Sequence, residues 1–177
     1  MIAIGIDPGA ERLGWAVIES EGSGKDPKEV AVGIYGLKRH DNGSKEPFQE
    51  YRLRLIDYWS RTAETLFEKF DPDQIYNEIV PVVGSGNFVA ATQSQLASTA
   101  LTVIQHEAFR REVPITQIGA NTVKKRIGGA KNASKVKVRN GVFQILPSTE
   151  RFKKEWVKVH DSSDACAVAL CGIGYKI

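Results

Sequence analysis

Cysteine is scarce in this sequence, with only Cys166 and Cys171 among 177 residues. Two cysteines are too few for a disulfide framework. They lie five positions apart on a predicted helix, so their side chains point to different faces and are not expected to bridge. A metal or redox pair is one interpretation, but we predict that both are small, buried apolar side chains.

Long apolar runs are also absent. No run approaches the roughly 20 residues that a membrane-spanning helix needs, so no membrane partner is expected. Met1 leads directly into a strand-like run without the charged leader of a signal peptide. These two absences predict a cytoplasmic protein.

Charge of one sign is not in large excess overall, because the formal net charge is only +3. The charge is unevenly distributed, however. Residues 121–160 contain 11 Lys and Arg against 2 Asp and Glu, whereas the rest of the chain is acidic. A basic segment on an otherwise acidic protein predicts a surface that binds a polyanion. The alternative is an ordinary solvated face.

The composition is that of a globular protein, with 42% hydrophobic and 25% charged residues. The length suits one hydrophobic core. Because no repeat or linker divides the chain, residues 1–177 are predicted to form a single domain.

The first twenty residues predict a β-hairpin. The apolar run Ile4–Ile6 ends at Asp7, a Pro-Gly turn follows, and Gly14–Ile18 forms a second apolar run. Asp7 therefore lies at the end of a strand, where it either caps the turn or faces a ligand. Since Gly5 and Gly9 have no Cβ, we expect them to let a nucleic-acid backbone approach closely.

Hydrophobic periodicity predicts the element order βββ-α-β-α-β-α-α-α. Further strands are expected in Glu29–Arg39, Gln74–Val80 and Val113–Gly119, and helices over Phe48–Phe70, Phe88–Arg111, Asn121–Ile127, Lys135–Leu146 and Asp161–Gly172. Asn121 is the expected cap of its helix, and Pro147–Val159 is expected to be a polar, basic connector. This order favours an α/β fold: a mixed five-stranded sheet with an antiparallel hairpin edge and helices on both faces.

Four acidic residues form a candidate metal site. Asp7 and Glu78 each end a strand-like run, and Asp161 and Asp164 lie three apart at a predicted helix start, where they share one face. The helix dipole alone can account for acids at that position. Four clustered carboxylates would need a counter-charge, and hard divalent cations such as Mg²⁺ prefer oxygen ligands. Two such ions could catalyse phosphodiester hydrolysis. The sequence lacks the His and Cys set of a zinc site.

These motifs resemble a known family. Gly5–Gly9 followed by Gly14–Ile18 resembles the opening of the RuvC-type Holliday-junction resolvases of the ribonuclease-H-like superfamily. Asp7, Glu78, Asp161 and Asp164 match the acidic tetrad of that family. The resemblance runs from residue 1 to about residue 172 and implies a ribonuclease-H-like fold.

The resemblance also implies roles for basic residues. Lys124 and Lys135 match two family lysines that serve junction binding and catalysis. Pro81 stands where family members commonly carry an aromatic residue, and Phe88 is the next aromatic along the chain. The candidate DNA-binding residues are Lys124, Lys125, Arg126, Lys131, Lys135, Lys137, Arg139 and Phe88.

The function implied by the resemblance is endonucleolytic resolution of four-way DNA junctions by a homodimer. The implied cofactor is Mg²⁺, with Mn²⁺ as a substitute and two ions per active site, and the products carry 5′-phosphate and 3′-hydroxyl ends. The implied location is the cytoplasm of a bacterial cell or a phage-infected host. Alternatives are a broader flap or fork nuclease, an inactive DNA-binding module, and an ATPase of the sugar-kinase or actin type, which shares the Gly-Ile-Asp-x-Gly hairpin.

Overall fold

The computed structural model describes residues 1–9, 11–21, 26–37, 47–80, 88–158 and 160–177, without the side chains of residues 88, 89, 157 and 158. The strands are β1 (Ile2–Pro8), β2 (Arg12–Glu19), β3 (Lys28–Gly36), β4 (Gln74–Glu78) and β5 (Ile115–Ile118). The helices are α1 (Phe48–Phe70), α2 (Phe88–Arg110), α3 (Ala120–Ile127), α4 (Lys135–Ile145), α5 (Lys153–Lys158) and α6 (Asp161–Gly172). A 3₁₀ helix covers Pro147–Phe152.

The strands form one sheet in the order β3-β2-β1-β4-β5. β1, β2 and β3 pair antiparallel, whereas β4 pairs parallel to both β1 and β5. The predicted mixed sheet with an antiparallel edge is therefore confirmed. The parallel pairs place the carboxyl ends of β1 and β4 next to each other, since Ile6 pairs with Asn77.

Alternation along β1 sends side chains to two helical layers. Ile4 and Ile6 pack against α1 and α2, where Leu55 and Trp59 are fully buried. On the opposite face, Ala3 packs against the apolar residues of α6, with α3 and α4 beyond them. Helices thus cover both faces of the sheet, as predicted.

Glycines allow α6 to lie directly on the sheet. A Cβ on Gly5 would clash with the carbonyl oxygen of Ala165, and a Cβ on Gly14 would clash with that of Asp161. The expectation that Gly5 leaves room for nucleic acid is therefore wrong, because the helix backbone fills that space. Gly9 likewise leaves room for the carbonyl of Arg12 rather than for a ligand.

Two local predictions need correction. Helix α3 begins at Ala120, and its N-cap is Gly119 rather than Asn121. The Gly119 backbone is extended, and its carbonyl accepts the N–H groups of Thr122 and Val123. The cap therefore comes from the backbone directly after β5, and Asn121 lies inside the first turn.

The segment predicted as a connector, Pro147–Val159, is instead helical over Pro147–Phe152 and Lys153–Lys158; Val159 lies outside the described residues. Trp156 is 2% exposed, and its ring stacks between Phe143 and Phe152, with centroid distances of 5.4 and 5.7 Å. Phe152 and Trp156 have the four-residue spacing of a helix face, but the lysines around them made the segment resemble a polar connector.

Both cysteines are buried and unbridged, with Cys166 0% and Cys171 1% exposed. The prediction of small buried apolar side chains is confirmed. No helix within the described ranges is long and apolar enough to cross a bilayer.

Candidate active site

The carboxylates of Asp7 and Glu78 lie at the carboxyl ends of β1 and β4. Register places the two residues on neighbouring parallel strands, directly after the Ile6–Asn77 pair. Both acids line one cleft of about 160 Å³ on the side of the sheet covered by α3, α4 and α6. The position of Asp7 and Glu78 at the ends of their strands therefore places both carboxylates in the same cleft.

Helix α6 adds Asp164 to this cleft from its first turn. The Asp164 N–H donates to the carbonyl of His160 at 2.9 Å, and the Ser163 hydroxyl donates to the same oxygen at 2.7 Å. The close approach of α6 that Gly5 and Gly14 permit brings this turn onto β1 and β2. The glycines of the opening motif therefore help to assemble the acidic cleft.

Two lysines complete the lining of the cleft. Lys124 comes from α3 and Lys135 from the first residue of α4. The Lys135 ammonium donates to Oδ2 of Asp164 at 2.7 Å. Five of the six residues predicted to be catalytic therefore line one cleft.

Asp161, the sixth, borders an adjoining cleft of about 240 Å³ with Gly9 and Arg12. Its Oδ2 lies 3.3 Å from Nε of Arg12, an ion pair without hydrogen-bond geometry, and this buried oxygen accepts no hydrogen bond. Asp161 and Asp164 share the first turn of α6, yet they face different basic partners. Arg12 was not identified from the sequence. Its only signal was its position at the start of β2, directly after the hairpin turn that follows Asp7.

The electrostatics of the cleft show a shortage of positive charge. Burial, followed by repulsion from Asp164 and Glu78, raises the pKa of Asp7 from 3.8 to about 8, although Lys135 opposes the shift. Burial and the charge of Asp164 also raise the pKa of Glu78. Asp7 is therefore largely protonated at neutral pH when no other cation is present.

Lys135 is the cation that partly balances the acids. Burial lowers the pKa of its ammonium, but the hydrogen bond and charge of Asp164 outweigh burial and raise it. Among the described residues, no three His, Cys, Asp or Glu side chains are grouped closely enough to hold a metal ion together. Two of the four acids are instead paired with separate cations, Asp164 with Lys135 and Asp161 with Arg12.

The donor set nevertheless fits a hard divalent cation. All of the candidate ligands are carboxylates, which Mg²⁺ and similar ions prefer. The unsatisfied oxygen of Asp161 and the raised pKa of Asp7 are both features that a bound cation would relieve. Lys135 occupies Oδ2 of Asp164, so a cation held by that oxygen would compete with the ammonium.

The other candidate DNA-binding residues differ in where they lie. Lys125, Arg126 and Lys131 line a second, larger cleft beside α3, and Lys137 is exposed on α4. The Phe88 side chain and Pro81 lie outside the described residues. Arg139 requires a correction, because it is 8% exposed and its Nη1 donates to the carbonyl of Trp156 at 3.1 Å. A buried guanidinium bound to the backbone is not available to a phosphate.

A model of the RuvC family, described as crossover junction endodeoxyribonuclease RuvC, matches residues 3–172. The chain belongs to the RuvC family. The RuvC protein of Gluconobacter oxydans is 30% identical over 95% of this chain and 87% of its own length. That of Ruegeria pomeroyi is 30% identical over 99% of this chain and 92% of its own.

Solved structures agree on the fold. RuvC of Thermus thermophilus in complex with a Holliday junction substrate superposes with a TM-score of 0.70 at 23% identity, covering 100% of this chain and 99% of that one. The yeast mitochondrial Holliday junction resolvase Ydc2 superposes with a TM-score of 0.66 at 16% identity, covering 97% and 77% of the two chains. The RuvC family consists of metal-dependent nucleases, so the predicted enzyme class is confirmed and the ATPase alternative is excluded.

Proposed function

We propose that this RuvC family member resolves four-way DNA junctions as a single nuclease domain, using the acidic cleft as its active site. Asp7, Glu78 and Asp164, together with Asp161 from the adjoining cleft, would hold two Mg²⁺ ions, which Mn²⁺ could replace. The observation that carries this assignment is the convergence of Asp7, Glu78 and Asp164 with two lysines in one cleft. The expected products carry 5′-phosphate and 3′-hydroxyl ends.

Each carboxylate in the cleft has a distinct task in this proposal. Divalent cations bound there would supply Lewis-acid stabilisation and an activated water. Asp7 would bind a cation as the ionised carboxylate, because its pKa of about 8 reflects burial and then the neighbouring charges of Asp164 and Glu78, all of which a cation would offset. Glu78 faces it from the adjacent strand and completes the oxygen ligands on the sheet.

Lys135 has two successive partners in this proposal. Its ammonium is bound to Asp164 at 2.7 Å. With a cation held by Asp164, the ammonium would be available to bind the scissile phosphate and to stabilise charge that develops in the transition state. Lys124 lines the same cleft, where its charge opposes the rise in the pKa of Glu78, and it would contact the same phosphate.

Substrate binding rests on phosphate contacts. Lys124, Lys125, Arg126, Lys131, Lys135 and Lys137 are the proposed contacts; the buried Arg139 is left out of this set. Such contacts release counterions, so junction affinity should fall steeply as salt rises. A homodimer would place two acidic clefts on one junction and allow two strands to be nicked.

The test is a cleavage assay that compares a four-way junction, a flap, a fork and a linear duplex with Mg²⁺. We expect the junction to be cut and the linear duplex to be spared. Asp7→Asn should abolish cleavage while leaving junction binding largely intact, because it removes a ligand and no positive charge. Comparable cutting of flaps and forks would instead support the broader nuclease.

Failure of the wild-type protein to cut any of these DNAs, combined with equal binding to branched and linear forms, would refute the proposed function. Junction-selective binding without cleavage would support the inactive module instead. Asp57→Asn is a suitable control, because Asp57 is an exposed acid on α1 that pairs with Arg61 at 3.2 Å. Its activity should match the wild type.

A further inference from the structure

A second cleft lies on the other side of α3 from the carboxylates. It has a volume of about 770 Å³, against about 160 Å³ for the acidic cleft. Lys124 lines the acidic cleft, whereas the next residue, Lys125, lines this one. Helical periodicity accounts for the division, because Val123 and Lys124 occupy the face of α3 opposite to Thr122 and Lys125.

The side chains that line this second cleft, here called the α3 groove, are all basic or neutral among the described residues. Its charged members are Lys125, Arg126, Lys131 and Lys176, and its polar members are Asn121 and Thr122. These are the side-chain types that most often contact phosphate and sugar in protein–DNA complexes. No carboxylate side chain lines the groove to pair with the ammonium groups.

The three lysines come from separate segments of the chain. Lys125 belongs to α3, Lys131 to the α3–α4 connection, and Lys176 to the segment after α6. Attraction of cations to the carboxyl end of a helix would account for Lys125. It does not account for the other two, so their convergence points to a shared ligand.

The walls of the groove are held in place by hydrogen bonds. The Ile177 N–H donates to the carbonyl of Arg126 at 2.8 Å, and Nη1 of Arg126 donates to the carbonyl of Cys171 at 3.1 Å. These bonds attach the segment that carries Lys176 to α3. Gly129 adopts a φ of +79°, which turns the chain toward Lys131, and a Cβ there would meet open space.

We propose that the α3 groove binds the sugar–phosphate backbone of a DNA arm beside the strand that is cut. This inference rests on the proposed function, since it assigns the groove to the same substrate. An α-helix is about 10 Å across, which corresponds to about three nucleotides at a rise of 3.4 Å. The groove would therefore grip phosphates a few nucleotides from the scissile one. Lys176 becomes a DNA contact that no motif in the sequence indicated.

The test measures junction affinity over a series of salt concentrations without divalent cations, so that cleavage cannot interfere. A fluorescent four-way junction is titrated with wild type and with the Lys125→Ala/Lys176→Ala double variant. The slope of log K against log salt is negative, and each lost phosphate contact makes it shallower by about 0.9. We expect the double variant to bind more weakly and the magnitude of its slope to decrease by about 2.

Two further variants separate charge from fold. Lys69→Ala removes an exposed lysine from the end of α1 and should leave both affinity and slope unchanged. Lys176→Arg preserves the charge and should bind like the wild type. Thermal unfolding checks that each variant is folded. A folded double variant with wild-type affinity and slope would overturn the inference.

The outcomes also distinguish this inference from the proposed function. If the wild type cuts junctions and the double variant binds normally, the groove assignment fails and the nuclease assignment stands. If the wild type binds DNA with the expected loss in the double variant but never cuts, the groove assignment stands and the nuclease assignment fails.

Discussion

Removing the carboxylate of Asp7 should stabilise the metal-free protein. The native pKa of Asp7 is about 8, against an ordinary value of 3.8, because the group is buried beside Asp164 and Glu78. Between these two pH values the native protein holds a proton that the unfolded chain has lost. Asp7→Asn keeps the shape of the side chain and removes its titration.

The sign and size of the effect follow from proton linkage. Folding takes up a proton in this window, so the free energy of unfolding decreases as pH rises, by at most about 1.4 kcal/mol per pH unit for one group. Integrated from 3.8 to pH 7, the upper bound is about 4 kcal/mol. Relaxation of the open cleft reduces this figure, and we expect Asp7→Asn to be more stable by at least about 1 kcal/mol at pH 7.

Urea denaturation in a chelating buffer at several pH values between 5 and 8 measures the effect. The relevant quantity is the difference in unfolding free energy between Asp7→Asn and the wild type, because all other titrating groups are shared. This difference should already be present at pH 5, which lies above the ordinary value of 3.8, and it should grow toward pH 8. Saturating Mg²⁺ should stabilise the wild type much more than the variant, since a cation favours the ionised carboxylate.

The control for this experiment is Asp57→Asn, which removes an exposed, ion-paired acid from α1. It should show no stabilisation that grows with pH. If Asp7→Asn is no more stable than the wild type at pH 7, or if their difference does not vary with pH, the reasoning about crowded carboxylates is refuted.

Three further substitutions test the packing and charge around the site. Gly5→Ala should destabilise the fold by about 1–3 kcal/mol and reduce cleavage, because the added methyl clashes with the Ala165 carbonyl. Unchanged stability and cleavage would show that α6 does not pack this closely on β1. Arg12→Gln should alter stability by less than about 1 kcal/mol, because the ion pair is partly exposed. It should also lower the Mn²⁺ concentration needed for binding, measured by calorimetry, since it removes a cation 3.3 Å from Asp161. A higher Mn²⁺ requirement would contradict this expectation. Trp156→Ala should cost about 3–5 kcal/mol in urea denaturation, whereas an exposed connector would lose almost nothing.

The sheet and its strand-end acids were predictable because each depends on local pattern. Apolar runs identified β1 and β4, and the acid at the end of each run had to lie at the edge of the sheet. The parallel pairing that brings Asp7 beside Glu78 follows from the connection through α1, a helix whose amphipathic period is clear in the sequence. The same local reasoning identified α6 and its pair of acids.

The fine arrangement of charge was not predictable, because it depends on contacts between distant segments. Helical spacing placed Asp161 and Asp164 on one face, but it could not show that β2 supplies Arg12 to one and α4 supplies Lys135 to the other. The prediction that Arg139 contacts DNA was wrong for the same reason. Its guanidinium donates to the carbonyl of Trp156, which lies in a helical segment that its lysines made resemble a polar connector.

The glycines of the opening motif make room for a helix rather than for nucleic acid. Gly5 and Gly14 could have kept the strands open to nucleic acid, yet the backbone of α6 occupies both positions. Their effect on function is therefore indirect: they set the distance between the sheet and Asp164, and so the size of the cleft. Because the ammonium of Lys135 is bound to Asp164 at 2.7 Å within the same cleft, that distance also bears on how a cation would compete for this carboxylate. In the proposed function, metal binding and phosphate binding would be coupled through Lys135, since a cation held by Asp164 would leave the ammonium available to the DNA strand.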